Sequence, residues 1–431
     1  MKKVLIISYF FPPCNLTASN RVHIWAKSLK RYGYYPIVIT RKWDHIINSP
    51  EHMGISSKIQ KKKITNSENF RLIQVPYKNS LRDFIYLKKP EWIMLRKILT
   101  LKELILQNYR AKTLPYFNIY EEARLILSQE NIDKVIISGN PFPLFHFGFL
   151  LKKEFKNIHW IADYRDDWTT TELSYPKNIF SKLIFKIEKK SEKKWVGSSS
   201  LITSVSEYYV NKISNFTGVK GKVILNGFDD KIVPSKVRAE RSNTFIITYN
   251  GSLYPTQCIE PFLSEISKLI ELFRNKIRIE LRFIGLDFNP EQGNRVRKLL
   301  KNVLGNVMIT NRIERNEVVK FQQESHILLL VSHKGLKGIP SSKMYEYIGL
   351  NKPVLLFPND NDIMENTLKK TKLGVICNSG PEIKEKLTKL LEVFIKTQKV
   401  NIKGDISAIN QFSREVQVKN ISKILDELGN K

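Results

Sequence analysis

Three stretches decide the fold class of this chain: Lys3-Val-Leu-Ile-Ile-Ser8, then Ser19-Asn-Arg-Val-His-Ile-Trp-Ala-Lys-Ser-Leu-Lys-Arg-Tyr32, then Pro36-Ile-Val-Ile-Thr40 after Gly33. The first and third are continuous apolar runs of strand length. The second repeats its apolar residues every three or four positions, as an amphipathic helix does, and Gly33 ends it. A strand, a helix and a strand in immediate succession predict a parallel βαβ unit.

The rhythm resumes further on. The pattern predicts strands over 134–138, 160–163, 201–204 and 223–225, with helices over 144–155 and 177–196. Asn226-Gly227 then reads as a structural turn between domains. Residues 228–243 carry charges and a proline without periodicity and read as a linker. A second run predicts strands over 244–249, 279–284, 307–310, 327–332 and 354–357, with helices over 258–273, 290–304, 314–325 and 341–349. Residues 406–431 form a helical tail with apolar residues mostly three or four apart. The expected organisation is an N-terminal domain over 1–227, a C-terminal domain over 244–405, and the tail.

One segment breaks the pattern. Residues 41–115 read as a basic, aromatic-rich insertion, and 58–112 hold fourteen Lys or Arg against four Asp or Glu. The whole chain of 431 residues carries a formal charge of +30, which suits an anionic membrane, a polyanion or a phosphorylated substrate. The eight apolar residues after Lys3 stop at Pro12-Pro13 without small cleavage residues, so they read as buried strand and not as a signal peptide. No stretch approaches the roughly 18 uninterrupted apolar residues of a membrane span. A cytoplasmic protein, peripheral at the inner face of the membrane, is the expectation. Cys14, Cys258 and Cys377 are too scattered for disulfides or zinc, and no HExxH occurs.

Two doubly wound domains place a cleft between the carboxyl ends of their sheets, where ligands of such folds bind. No GxGxxG follows the first strand and no GxxxxGK[ST] occurs, which disfavours a dinucleotide dehydrogenase and a P-loop enzyme. The most informative stretch is Gly335-Leu-Lys-Gly-Ile-Pro-Ser-Ser-Lys-Met-Tyr-Glu-Tyr-Ile-Gly-Leu-Asn-Lys-Pro-Val354. Gly338 and the Ser341-Ser342 pair offer backbone N–H groups where a helix opens. Lys343 sets an ammonium in its first turn, and Glu346 lies on the same face, where a carboxylate accepts two bonds from a ribose diol. The alternative is a capping serine with a solvated lysine and glutamate.

This stretch resembles the donor-site motif of GT-B glycosyltransferases, particularly retaining glycosyltransferase family 4. Four further segments agree in order: Tyr9-Phe-Phe-Pro-Pro13 with Asn20-Arg21, Trp160-Ile-Ala-Asp-Tyr-Arg-Asp-Asp-Trp168, Val223-Ile-Leu-Asn-Gly-Phe-Asp229 and Tyr249-Asn-Gly-Ser252. The second of these is similar to the DxRDxW stretch of a bacterial surface-polysaccharide subgroup. The resemblance implies an α/β GT-B fold of two Rossmann-like domains, with the tail helix crossing back to the N-terminal domain. It implies a nucleotide-diphosphate sugar as donor, no cofactor and no metal, a lipid-linked saccharide or glycolipid as acceptor, and retention through front-face attack. The chain departs from the family in two places. Gly338 stands where the first Glu of its E-x7-E motif would be, and no Arg or Lys follows the Gly251 turn.

On this reading Gly251, Ser252, Arg312, Gly338, Ser342, Lys343 and Glu346 hold the donor. Asp163, Arg165 and Asp166 are catalytic candidates, their Asp-x-Arg-Asp spacing allowing an ion pair that orients one carboxylate; the alternative is a structural pair. Arg21 and His146 are acceptor-binding candidates, with a surface salt bridge and a packed ring among phenylalanines as their alternatives. Two other functions stay open: another GT-B enzyme such as a nucleotide-sugar epimerase, or a basic nucleic-acid-binding protein. No nucleic-acid partner is expected, since no nucleic-acid-binding motif accompanies the charge.

Overall fold

The computed structural model describes residues 1–44, 47, 50–172, 178–229 and 243–428. Within these, the expected linker is largely outside the described residues, as is the expected helix start at 177. The chain divides into two compact units, Met1–Leu225 with Gln417–Lys431, and Asn226–Val416.

The first unit is built on a sheet of eight strands. These are β1 (Lys2–Ser8), β2 (Tyr34–Arg41), β3 (Lys63–Asn66), β4 (Arg71–Val75), β5 (Lys134–Gly139), β6 (His159–Tyr164), β7 (Leu201–Ser204) and β8 (Gly221–Val223). Their order is β3-β4-β2-β1-β5-β6-β7-β8. All pairings are parallel except that of β3 with β4. Strands such as Val4–Ile7 and Val135–Ile137 are covered on both faces, which is why they read as unbroken apolar runs. The strand order reverses between β1 and β5, the switch point of the sheet.

The segment 41–115 is less foreign to the sheet than its composition suggests. β4 continues the parallel sheet beside β2, with Ile39 opposite Ile73. Its Arg71-Leu-Ile-Gln-Val75 run is short and carries polar residues at Arg71 and Gln74, so pairing with β2 is what marks it as a strand. Helices Leu81–Lys88 and Ile93–Tyr109 follow, the first opened by a reciprocal capping box between Ser80 and Asp83. The strand expected over 223–225 lies two residues earlier, because Gly221 pairs with Ile202.

The tail is divided between the two units. Helix Ile406–Asn410 stays with the second, while residues from Gln417 onward join the first. There Val418, Ile421, Ile424 and Leu425 of helix Arg414–Glu427 fill the core formed by Val4, Ile6, Val22 and Trp25. Asp426 accepts hydrogen bonds from Lys2 and from the Tyr34 hydroxyl, which fixes the register of that packing.

The second unit has an all-parallel sheet of β9 (Thr244–Asn250), β10 (Arg278–Ile284), β11 (Val307–Ile309), β12 (Ile327–Leu330), β13 (Val354–Leu356) and β14 (Gly374–Ile376). Its order is β11-β10-β9-β12-β13-β14, so the switch point falls between β9 and β12. Helices Glu260–Phe273 and Gly380–Thr397 pack together over the core of Phe245, Ile247, Leu329 and Phe394. Among the described residues no helix is long and apolar enough to cross a membrane.

Candidate active site

The switch point of the second sheet brings the loop after β9 beside the loop after β12. Gly251 follows β9 with φ +85°, and a Cβ there would meet the Lys343 Cε at 3.2 Å. Both the left-handed backbone and the close approach therefore require glycine. Lys343 lies in the first turn of helix Ser342–Gly349 and folds over this turn. Its Nζ donates to the Tyr249 hydroxyl at 3.1 Å and to the Ser252 carbonyl at 3.2 Å. It also sits 4.8 Å from the centre of the Tyr249 ring. No carboxylate pairs with it among the described residues. Ser342 begins the helix, whose N-terminus has no side-chain cap, so its first N–H groups are open to an anion.

Glu346 follows on the same helix. Its carboxylate is paired with Arg315 at 2.9 Å, and the Gln322 amide lies 3.4 Å away. Gln322 in turn donates to the Asn250 side chain at 3.0 Å, and the Tyr347 hydroxyl donates to the same oxygen at 2.6 Å. A buried polar network thus ties the end of β9 to the helix that carries Lys343 and Glu346. Arg312, the expected donor-pocket arginine, lies over the Phe288 ring, and it is Arg315 that reaches Glu346. Gly338 is also corrected. Its N–H donates to the Asp362 carboxylate, so it does not stand free for a phosphate. The neighbouring Asp360 is spent on the main-chain N–H groups of Met364 and Glu365, which closes the Asp360-Asn-Asp362 triplet as a helix cap.

His333, which the sequence reading did not single out, stands in the loop after β12. Its Nδ1 lies 3.0 Å from the Thr256 hydroxyl. Burial, and then the charge of Lys343, hold its pKa below the ordinary histidine value. A polar ring beside a lysine at a switch point was the available signal, and only sheet order makes it visible.

In the first unit, Asp163 and Arg21 meet, but only each other and the fold. Asp163 is 0% exposed and accepts from Arg21 at 2.8 Å, from Ser138 at 2.8 Å and from Thr203 at 2.8 Å. Arg21 spends its remaining nitrogen on the carbonyls of Ile224 and Leu225, and its guanidinium covers the Trp25 ring. The pair clamps three strands and the first helix; neither group is left to touch a substrate. Asp163 as catalyst and Arg21 as acceptor ligand are therefore corrected to structural roles.

His146 is corrected likewise. It is buried and stacked on Trp195, centroids 4.4 Å apart, and burial brings its pKa down to about 4. Arg165 is different. It lies just past β6, makes no hydrogen bond or ion pair with the described residues, and burial pushes its pKa down. Asp166 beside it is exposed. The loop they share is pinned by Trp168, stacked on Phe142 at 5.2 Å, and by Glu192, which accepts from the Tyr164 hydroxyl at 2.9 Å and the Thr169 N–H at 3.0 Å. Glu192 is fully buried, and burial raises its pKa to about 7. Among the described residues no group of His, Cys, Asp or Glu is arranged to hold a metal ion.

No family model matches the chain, and no curated protein matches its sequence. Solved structures do. Sucrose-phosphate synthase from Thermosynechococcus elongatus is 13% identical, with 99% of each chain covered and a TM-score of 0.66. A glycosyltransferase from Rickettsia africae is 16% identical over 100% of this chain and 99% of its own, with a TM-score of 0.63. HepE from Anabaena, solved in complex with UDP and glucose, is 10% identical over 99% of this chain and 100% of its own, with a TM-score of 0.60. Full-length agreement with such structures, on top of two parallel doubly wound sheets, shows that this chain has the GT-B fold.

Proposed function

We propose that the protein is a glycosyltransferase of the hexosyl or N-acetylhexosaminyl type. The second unit binds a nucleotide-diphosphate sugar, and the first unit binds a lipid-linked saccharide or glycolipid. The observation that carries this reading is Lys343, an ammonium placed at the β9–β12 switch point beside Gly251, with a hydroxyl and a carbonyl as partners and no carboxylate among the described residues. A diphosphate there gains a charge-assisted bond from Lys343 and main-chain donors from the uncapped start of its helix. Glu346, held in place by Arg315, accepts from the hydroxyls of a ribose. The HepE structure holds UDP and glucose, which supports this class of donor.

The chemistry that follows is departure of the nucleotide diphosphate as Lys343 stabilises its growing charge, with the acceptor hydroxyl attacking the same face of the sugar. The departing phosphate takes the hydroxyl proton, so no strong protein base is required. Family 4 resemblance supports this retaining course, and the cationic Lys343 supports turnover without a divalent metal. Arg165, a guanidinium that makes no hydrogen bond or ion pair with the described residues, suits an anionic group of the acceptor, such as the phosphate that links a saccharide to a lipid. The place of action is the assembly of bacterial surface polysaccharide, O-antigen or capsule, at the anionic inner face of the cytoplasmic membrane; the +30 charge supports that location.

The test is a calorimetric and hydrolytic survey with UDP, GDP, CDP, ADP and TDP and their common sugars. Binding of one diphosphate and slow release of it from a matching nucleotide sugar are expected. Binding of none, together with tight, salt-sensitive binding to bulk RNA or DNA, overturns the enzyme reading in favour of a nucleic-acid binder. Interconversion of the free nucleotide sugar without transfer favours an epimerase.

A further inference from the structure

Two long helices of the first unit are rooted in the core at their C-terminal ends and project at their N-terminal ends. In helix Ile179–Val196 the buried residues are Ser191, Glu192, Trp195 and Val196, all in the last turns. In helix Ile93–Tyr109 only Asn108 is buried. The same side chain marks both roots: His146 stacks on Trp195 and contacts the Gln107 main chain. At 1.5 Å per residue, the free ends lie about 20–25 Å from that root. The two helices touch each other, and Leu81–Lys88 packs on helix Ile93–Tyr109, with Arg82 donating to Thr100 at 3.0 Å.

The projecting ends are apolar. Trp92 is 50% exposed and Met94 71%, at the start of one helix; Ile179 is 78%, Phe180 65% and Leu183 55% exposed at the start of the other. The second start is a reciprocal cap between Asn178 and Ser181, so the helix keeps its shape to its tip without packing. Exposed cations ring both tips, Lys88, Lys89 and Lys97 on one side and Lys182, Lys186 and Lys189 on the other. Of the acids on these helices and the turn between Lys88 and Ile93, only Glu91 is exposed.

We propose that these two tips form a bipartite membrane foot, in which both helix ends enter the interfacial layer of an anionic bilayer while the lysines behind them meet its headgroups. The inference rests on the membrane location proposed above and adds helix Ile179–Val196, which lies outside the basic 58–112 segment. Large side chains half or more exposed on neighbouring helices are a partner-seeking surface. Charge selects the partner: a second copy of this chain would bring the same lysines against these, whereas anionic headgroups complement them. Apolar tips with basic flanks are the pattern of helices that lie in a membrane interface.

The experiment is co-sedimentation of the full chain with vesicles of phosphatidylcholine alone and with phosphatidylglycerol added. Two double variants probe the tips, Trp92→Ser with Met94→Ser and Phe180→Ser with Leu183→Ser. All four side chains are at least half exposed, so unchanged thermal midpoints are expected and are checked. The wild type should bind only the anionic vesicles, and each double variant should weaken that binding about tenfold. If only the first pair matters, the bipartite foot is overturned and the membrane location stands. If the wild type binds no vesicle, the location fails and the foot with it. If the variants leave vesicle binding intact and instead abolish self-association on sedimentation velocity, the surface is an interface between copies and the proposal is overturned.

Discussion

Lys343→Ala isolates the group on which the donor site depends. The ammonium is held at 3.1 Å from the Tyr249 hydroxyl and 3.2 Å from the Ser252 carbonyl, neutral partners that position it without cancelling its charge. A hydrogen bond to a charged group is worth about 1.5–3 kcal/mol, so losing it weakens diphosphate binding about 10- to 150-fold. Stability should change little, because the side chain is half-buried and leaves no unpaired carboxylate behind. Calorimetry with the preferred nucleotide diphosphate reads the effect directly. Two controls sharpen it. Tyr249→Phe removes one of the two positioning partners and should cost less than the alanine change. Gly251→Ala should also weaken binding, because its Cβ would press on the Lys343 Cε at 3.2 Å from a backbone at φ +85°. Unchanged affinity in Lys343→Ala, for a wild type that binds, refutes the placement of the diphosphate at this switch point.

Asp163→Asn breaks the buried clamp with Arg21 and should destabilise the first unit by about 3–5 kcal/mol, leaving an uncompensated guanidinium; a urea melt with an unshifted midpoint would contradict the structural assignment. Glu192 gives a pH signature. Its pKa is raised to about 7 from 4.5, so its folded form holds a proton that the unfolded form loses, and its stabilising contribution is present at low pH and lost as pH rises through 7. The Glu192→Gln variant, which keeps one acceptor oxygen for Thr169 and offers an amide N–H to the Tyr164 hydroxyl, should therefore lose less stability than the wild type between pH 5.5 and 8, by about 2 kcal/mol; parallel curves would refute the titration. Turnover, once a donor and acceptor are in hand, should be undiminished in excess EDTA, and loss of activity with rescue by Mn²⁺ would contradict the proposed use of Lys343.

The sequence by itself determined the α/β class, because parallel strands buried on both faces must be continuous apolar runs and the helices between them must show a 3.6-residue period. It also marked Lys343 and Glu346, since both lie within one turn of the same helix and their relation is local. What it left open was everything that depends on which strands become neighbours. The Asp163-Tyr-Arg165 spacing suggested a local pair, yet the partner of Asp163 is Arg21, 142 residues away, delivered by the packing of the first helix over β5, β6 and β7. His146 is buried against Trp195 because helix Leu144–Glu154 packs on helix Ile179–Val196. Arg315 reaches Glu346 because helix Arg315–Glu324 leads back to β12, next to β9, a juxtaposition no sequence spacing shows. The exposed apolar tips at Trp92 and Phe180 are amphipathic in sequence like any core helix. Only the tertiary structure shows that they stand exposed, because a helix pattern specifies an apolar face but not how far that face extends beyond the core it is rooted in.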